Sequence, residues 1–185
     1  WGFAWRLGVS EQYDLLEDAL KHAEMVIYWS ADPESTAGIY AGQESNQWRS
    51  WLKELGVKMI VVDQHYNFTA LIFAYKWFAP RPGSDTAMAA AIASVWLTEG
   101  TYDKAYIKEH THGFEKWKGY IVGEEDGFAK TSEWAEKETG VPAREIRALA
   151  REWARRKTML ASGSALGGGA CRTAYGTEWA RYMVM

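Results

Sequence analysis

Residues Met59–Asn67 read MIVVDQHYN, four apolar residues followed by an acid and a polar tail. A β-branched run flanked by Gly56 and by polar residues has the pattern of a short buried strand. Such a strand has no need of Asp63 at its carboxyl end, where the acid faces a loop. The segments on either side extend the pattern. EQYDLLEDALKHAE (11–24) sets Leu15, Leu16, Ala19, Leu20 and Ala23 on one face, as an amphipathic helix does. MVIYW (25–29) reads as a strand ended by SADPEST, with a turn at Asp32-Pro33. QESNQWRSWLKEL (43–55) reads as a helix closed by Gly56. Residues 66–75 read as helical, and KWFAP (76–80) as an edge-like strand stopped by Pro80 and Pro82.

Downstream, Gly83-Ser84-Asp85 gives the clearest helix start, with Ser84 or Asp85 able to cap TAMAAAIASVWL. Residues 101–130 read as loop-rich, with short helical pieces at YDKAYIKEH and FEKWKGYIV. Pro142 suits a first helical position, and Ile146, Leu149, Ala150 and Trp153 then recur at helical spacing. TMLASG (158–163) is a further strand that runs into the glycine-rich SALGGGACR. Helices alternating with strands predict an α/β fold, a layered Rossmann-like parallel sheet with helices on both faces and right-handed crossovers. One compact unit over residues 1–185 is the simplest organisation, since no internal repeat or low-complexity linker interrupts the chain.

The bulk composition narrows the function classes. In 185 residues, 48% are apolar, enough for a sizeable core. Lys plus Arg number 21 against 24 Asp plus Glu, a net charge of −3, which disfavours a nucleic-acid or anionic-membrane surface. No apolar run reaches membrane-span length and no secretory leader pattern opens the chain. A single cysteine, Cys171, rules out an internal disulfide framework or a Cys-based metal cluster in this segment, and fits a reducing compartment. The start at Trp1 and the helix-like GTEWARYMVM at the other end suggest a piece of a longer polypeptide.

Ligands of open parallel sheets sit beyond the carboxyl ends of the strands. Three such ends are polar or glycine-rich: Ser30-Ala31-Asp32, Asp63-Gln64-His65 and Gly163-Ser164. A carboxylate at the second end can accept from two ribose hydroxyls, and following helices offer N–H groups to phosphates. Asp85 could accept from guanine N1–H and N2–H₂. Together these describe a nucleotide site without a phosphate-gripping lysine. Each feature also has a plain structural reading: Asp32 as a turn residue, Asp85 as a helix cap, Asp63 as a solvated strand end. The glycines at 167–169 do not match G-x-G-x-x-G, and no P-loop is present. His110 and His112 read as solvated surface residues, Cys171 as a packing residue, and Arg151, Arg155, Arg156 and Lys157 as a solvated helix face. The 11 tryptophans read as helix-to-sheet packing.

In order and spacing, YWSADPEST, KELGVKMIVVDQHYNFTA and KWFAPRPGSDTAMAAAIASVWL resemble the molybdenum enzymes of the dimethyl-sulfoxide-reductase family. Their pattern has a strand ending in Asn/Asp-Pro, a strand ending in Asp-Pro with Thr-Ala shortly after, and a Pro-Gly-Thr-Asp-x-Ala helix start. TYDKAYIKEHTHGFEKWKGYIVG and KTSEWAEKETGVPAREIRALAREWARRKTMLASG are similar to the stretches that follow, so the likeness covers nearly the whole chain. It implies a bis(molybdopterin guanine dinucleotide) cofactor with molybdenum, and an α/β domain of a larger multi-domain enzyme that holds one guanosine-diphosphate end. By position, Ser30, Asp32, Ser35 and Thr36 would lie near the diphosphate, and Asp63 and Gln64 at the ribose and guanosine. Arg81, Gly83 and Asp85 would surround the guanine, and Gly163, Ser164 and Arg172 would approach the pterin or active-site side. Here Gln64 and His65 follow the acid where the family has proline.

The resemblance places the family's protein ligand to molybdenum upstream of the first strand, and nothing before Met25 looks like it. No metal ligand and no catalytic acid or base is therefore assigned. The activity implied is hydroxyl transfer between polyhydroxybenzenes, or reduction of a small sulfoxide or N-oxide. A nucleotide-binding module without metal chemistry is the alternative outside the family's activities. The implied partners are the rest of a large subunit, an iron–sulfur small subunit and a small-molecule substrate, with iron–sulfur clusters only in other domains or that subunit. No nucleic acid and no membrane span are expected, in a cytoplasmic or alternatively periplasmic enzyme.

Overall fold

Strand-forming runs here are short and almost wholly apolar, and they assemble as such runs should. The computed structural model describes residues 15–36 and 44–162. Two compact units divide the chain, Trp1–Ala79 with Arg156–Met185, and Pro80–Arg155.

The first unit carries a four-stranded parallel sheet in the order β3-β2-β1-β4. Its strands are β1 (Met25–Trp29), β2 (Lys58–Val62), β3 (Lys76–Phe78) and β4 (Thr158–Ser162). β1 is buried at every residue and β2 at all but its first. That continuous burial is why MVIYW and KMIVV lack alternation: parallel strands are covered on both faces. One sheet face presents Val26, Tyr28, Met59 and Val61, which pack with Ala19, Leu52, Ala70 and Phe73. Those four come from α1 (Leu15–His22), α3 (Glu44–Glu54) and α4 (Phe68–Phe73). On the alternate face Met25, Ile27, Trp29, Ile60 and Val62 are equally buried. A short α2 (Pro33–Thr36) follows β1. Gly56, at φ 78°, takes the left-handed conformation that ends α3, and Val57 N then donates to Leu52 O at 3.0 Å.

The expected helix over 66–75 is shorter, because Asn67 caps it: its side chain accepts from Ala70 N at 2.8 Å. The strand 76–80 contracts to Lys76–Phe78 and lies at the sheet edge as expected. These observations make the fold α/β with a parallel sheet flanked by helices.

The second unit is helical: α5 (Asp85–Glu99), α6 (Lys104–His110), α7 (Phe114–Val122), α8 (Ser132–Thr139) and α9 (Ala143–Trp153). α5 is apolar all round and buried from Ala87 to Ala93, as a central helix must be. α7, α8 and α9 pack against it, and its alanines permit the close approach. The Trp96 indole donates to Ala150 O at 2.7 Å and stands edge-on to Trp153, centroids 5.2 Å apart. Sequence patterning missed α8, whose inward side is only Ser132, Ala135 and Thr139. Pro142 stands one residue earlier than expected, at the N-cap of α9. Ser84 is the N-cap of α5, but its hydroxyl donates to Arg81 O at 2.6 Å and does not cap the helix. Arg151 forks onto Glu99 at 2.8–3.2 Å, so the basic face of α9 is in part an ion-paired one. Among the described residues no helix is long and apolar enough to cross a membrane.

Candidate nucleotide-binding site

Strand order fixes where a ligand can enter the sheet. The chain runs outward from β1 through β2 to β3, then adds β4 on the other side of β1. The direction of winding reverses between β1 and β4, and at such a switch point a crevice opens beyond the carboxyl ends. Trp29 is level with Val62 on one side and Ser162 on the other, so Ser30 and Asp63 leave the sheet at the same edge.

Ser30 turns the chain out of β1 at φ 50°, the one non-glycine with positive φ among the described residues. A left-handed L-residue costs about 1–2 kcal/mol, so the surroundings must hold it. Its N–H is tied to Val62 O at 2.8 Å. Beyond it, Asp32 anchors the loop. Oδ1 accepts from Thr69 Oγ1 at 2.7 Å and from Thr69 N at 3.2 Å, and Oδ2 accepts from Ser35 Oγ at 2.5 Å. Burial pushes the Asp32 carboxyl up, but the hydrogen bonds from Ser35 and Thr69 outweigh it and hold the group below its ordinary 3.8. Thr69 is fully buried, and its Oγ1 also accepts from Glu34 N at 3.2 Å. The Glu34 N–H in the opening turn of α2 is therefore bonded within the chain.

A second device braces the same loop, and sequence reading missed it. Arg49 on α3 is 5% exposed; its Nε donates to Glu34 Oε1 at 2.5 Å, and its terminal nitrogen bonds Asn46 Oδ1 and, at 3.4 Å, Pro33 O. An arginine in an acidic and polar helix looks solvent-facing until Glu34, fifteen residues away, is folded onto it. Beneath the pair, burial pushes the Tyr28 phenol up to about 12, with Arg49 opposing and Glu34 reinforcing the shift.

Asp63 ends β2 in a similarly fixed setting. Its N–H donates to Phe78 O at 3.0 Å, and its carbonyl accepts from the Trp77 indole at 2.8 Å. The carboxylate accepts from His65 N at 3.0 Å and from Asn67 Nδ2 at 3.1 Å. Half-buried, it keeps about two of its roughly four lone-pair sites for a ligand. A pair of vicinal hydroxyls fits that capacity. Gln64 is exposed beside it.

Apart from Thr36, the remaining candidates belong to the helical unit or lie outside the described residues. Arg81 donates from Nη1 to Lys137 O at 2.6 Å, and its N–H to Thr139 O at 2.9 Å, placing a cation on the last carbonyls of α8. Gly83 has φ 79°, with open space where a side chain would stand. Asp85 opens α5 and is half-buried. Thr36 closes α2. Gly163, Ser164, Arg172 and Cys171 lie outside the described residues. His110 and His112 are exposed, and no group of three or more His, Cys, Asp or Glu suited to a metal occurs among the described residues.

Against known proteins, the model of the molybdopterin oxidoreductase family matches residues 3–185. The chain is 59% identical, over its whole length, to the pyrogallol hydroxytransferase large subunit of Pelobacter acidigallici, covering 21% of that protein. It is 36% identical to the dimethyl sulfoxide/trimethylamine N-oxide reductase of Rhodobacter capsulatus, over 85% of this chain and 19% of the reductase. In fold it is similar to acetylene hydratase from Pelobacter acetylenicus: TM-score 0.60, 23% identity, 76% of this chain and 18% of that one. The chain thus spans about a fifth of the curated relatives it matches. Matched by the family model over residues 3–185 and 59% identical over its whole length to a curated relative, the chain belongs to the molybdopterin oxidoreductase family.

Proposed function

We propose that residues 1–185 act as one domain that holds the guanosine-diphosphate part of a bis(molybdopterin guanine dinucleotide) cofactor. The parent enzyme would move hydroxyl groups between polyhydroxybenzenes. The observation that carries the reading is Asp63, fixed at a strand end with acceptor capacity to spare. Two ribose hydroxyls donate to its carboxylate, and the exposed Gln64 amide adds a contact to the guanosine. Ser30, Asp32, Ser35 and Thr36 form the loop on the diphosphate side. Within it Asp32 and Ser35 fix the backbone, since their polar atoms are engaged with each other and with Thr69. Arg81, Gly83 and Asp85 surround the guanine, with Asp85 accepting from its N1–H and N2–H₂. Gly163, Ser164 and Arg172 complete the pterin side.

When bound, the cofactor's molybdenum supplies the oxygen- or hydroxyl-transfer chemistry. The chain contributes affinity and alignment. Charge-assisted hydrogen bonds and rigid strand ends hold a long cofactor in one pose, which keeps the reacting centre oriented. The catalytic acid and base, the metal ligand and any iron–sulfur clusters belong to the rest of the large subunit or to a small subunit.

Identity to a hydroxytransferase over the entire chain favours transhydroxylation, and the match to a sulfoxide/N-oxide reductase supports the other reading. The full-length enzyme, assayed for both reactions, separates them. Hydroxyl exchange between polyhydroxybenzenes without an added electron donor is the expected result. Donor-dependent reduction of sulfoxide or N-oxide without that exchange overturns the substrate assignment.

A further inference from the structure

Tyr66 leaves a large ring in solvent beside the strand end that carries Asp63. It is 56% exposed, and among the described residues Trp77 is the one ring it meets. The two centroids are 5.1 Å apart with planes at 68°, an edge-to-face contact. Such a contact covers at most one face of Tyr66, so a face stays open. Trp77 is itself fixed: its ring packs against the apolar cluster of the sheet, and its indole donates to Asp63 O at 2.8 Å. One side chain therefore locates both the Tyr66 ring and the Asp63 backbone. The loop 63–67 is also closed on itself, because Asn67 Nδ2 donates to Asp63 Oδ2 at 3.1 Å. Tyr66 is thus held in place before anything binds, and a surface ordered in advance gives up little entropy to a ligand.

We propose that Tyr66 is the platform on which the purine base of the bound nucleotide stacks. The proposal rests on the reading of Asp63 as the group that grips the ribose. A ribose held by its vicinal hydroxyls carries its base on the neighbouring ring carbon, so the base stands one sugar ring away from the carboxylate. Within the loop 63–67, Tyr66 offers the largest flat face and the one braced by a second ring. Stacking on it adds affinity without reading the edge of the base. Tyr66 would therefore act on retention of the nucleotide, independently of the hydrogen bonds at Asp63.

The test follows cofactor release from the full-length loaded enzyme, held in guanidinium below its unfolding transition. GMP freed by acid hydrolysis of the material still bound gives the first-order rate. Tyr66→Leu should release at least about fivefold faster than wild type, and Tyr66→Phe, which keeps the ring, within about twofold of it. A Tyr66 that served only to place Asp63 would add nothing in an Asp63→Ala background, whereas stacking predicts the same fold-increase there. Tyr75, 74% exposed and under Lys58 at the other end of β2, supplies a control: Tyr75→Leu should leave the rate unchanged. Tyr66→Leu at the wild-type rate, an equal rise in Tyr66→Phe or Tyr75→Leu, or no further rise over Asp63→Ala each overturns the platform and leaves the ribose grip standing. Wild type without GMP, or Asp63→Ala releasing no faster than wild type, overturns the grip and the platform with it.

Discussion

Asp32 and Asp63 both end strands, yet their environments divide their work. Asp32 is nearly saturated by Thr69 and Ser35 and serves the loop; Asp63 accepts two bonds and keeps room for more. Thr69 carries the cost of the first arrangement. Thr69→Val removes a buried hydroxyl and leaves Asp32 and Glu34 N short of a partner, and should destabilise the fold by about 1–3 kcal/mol by denaturant unfolding. The pH dependence has a definite sign. Because the folded Asp32 titrates below its ordinary 3.8, its contribution is full above that value and is lost as pH falls through the lower, folded one. The stability gap between wild type and Asp32→Asn should therefore narrow below pH 3.8. A gap that stays constant on acidification contradicts the role. Both acids were legible in the sequence as strand-end carboxylates. Which of them was already spent was not, because Thr69 stands 37 positions from Asp32.

At the scale of elements, the loop after β1 is held from α3 by the Arg49–Glu34 pair, with side chains 6% and 11% exposed. Removing one partner of such a pair strands the other in a poor solvent. Arg49→Met or Glu34→Leu alone should each cost about 3–5 kcal/mol, and the double variant less than their sum. Additive losses in that cycle contradict a coupled pair. Strands and most helices were readable from period and caps. α8 was not, because its apolar side is too thin to show a period, and its packing on α5 decides it. The shortening of α4 at Asn67 came from a side-chain cap competing with propensity.

For the whole molecule, the sheet order puts the switch point between β1 and β4, which makes the polar strand ends beside it the candidate binding edge. Motif order made the family legible because those motifs are strand ends and helix starts, where backbone geometry and ligand chemistry constrain the same residues. The proposed role of Asp63 is to grip the nucleotide end of a molybdenum cofactor. Molybdenum, and GMP released by acid hydrolysis, measured on full-length wild type and Asp63→Ala purified in parallel, decide whether it does. Both are expected in the wild type, with a joint loss in the folded variant matching about 1–3 kcal/mol of weaker retention. Wild-type protein that is active and folded with neither molybdenum nor GMP, or an Asp63→Ala variant that retains both undiminished, would contradict it.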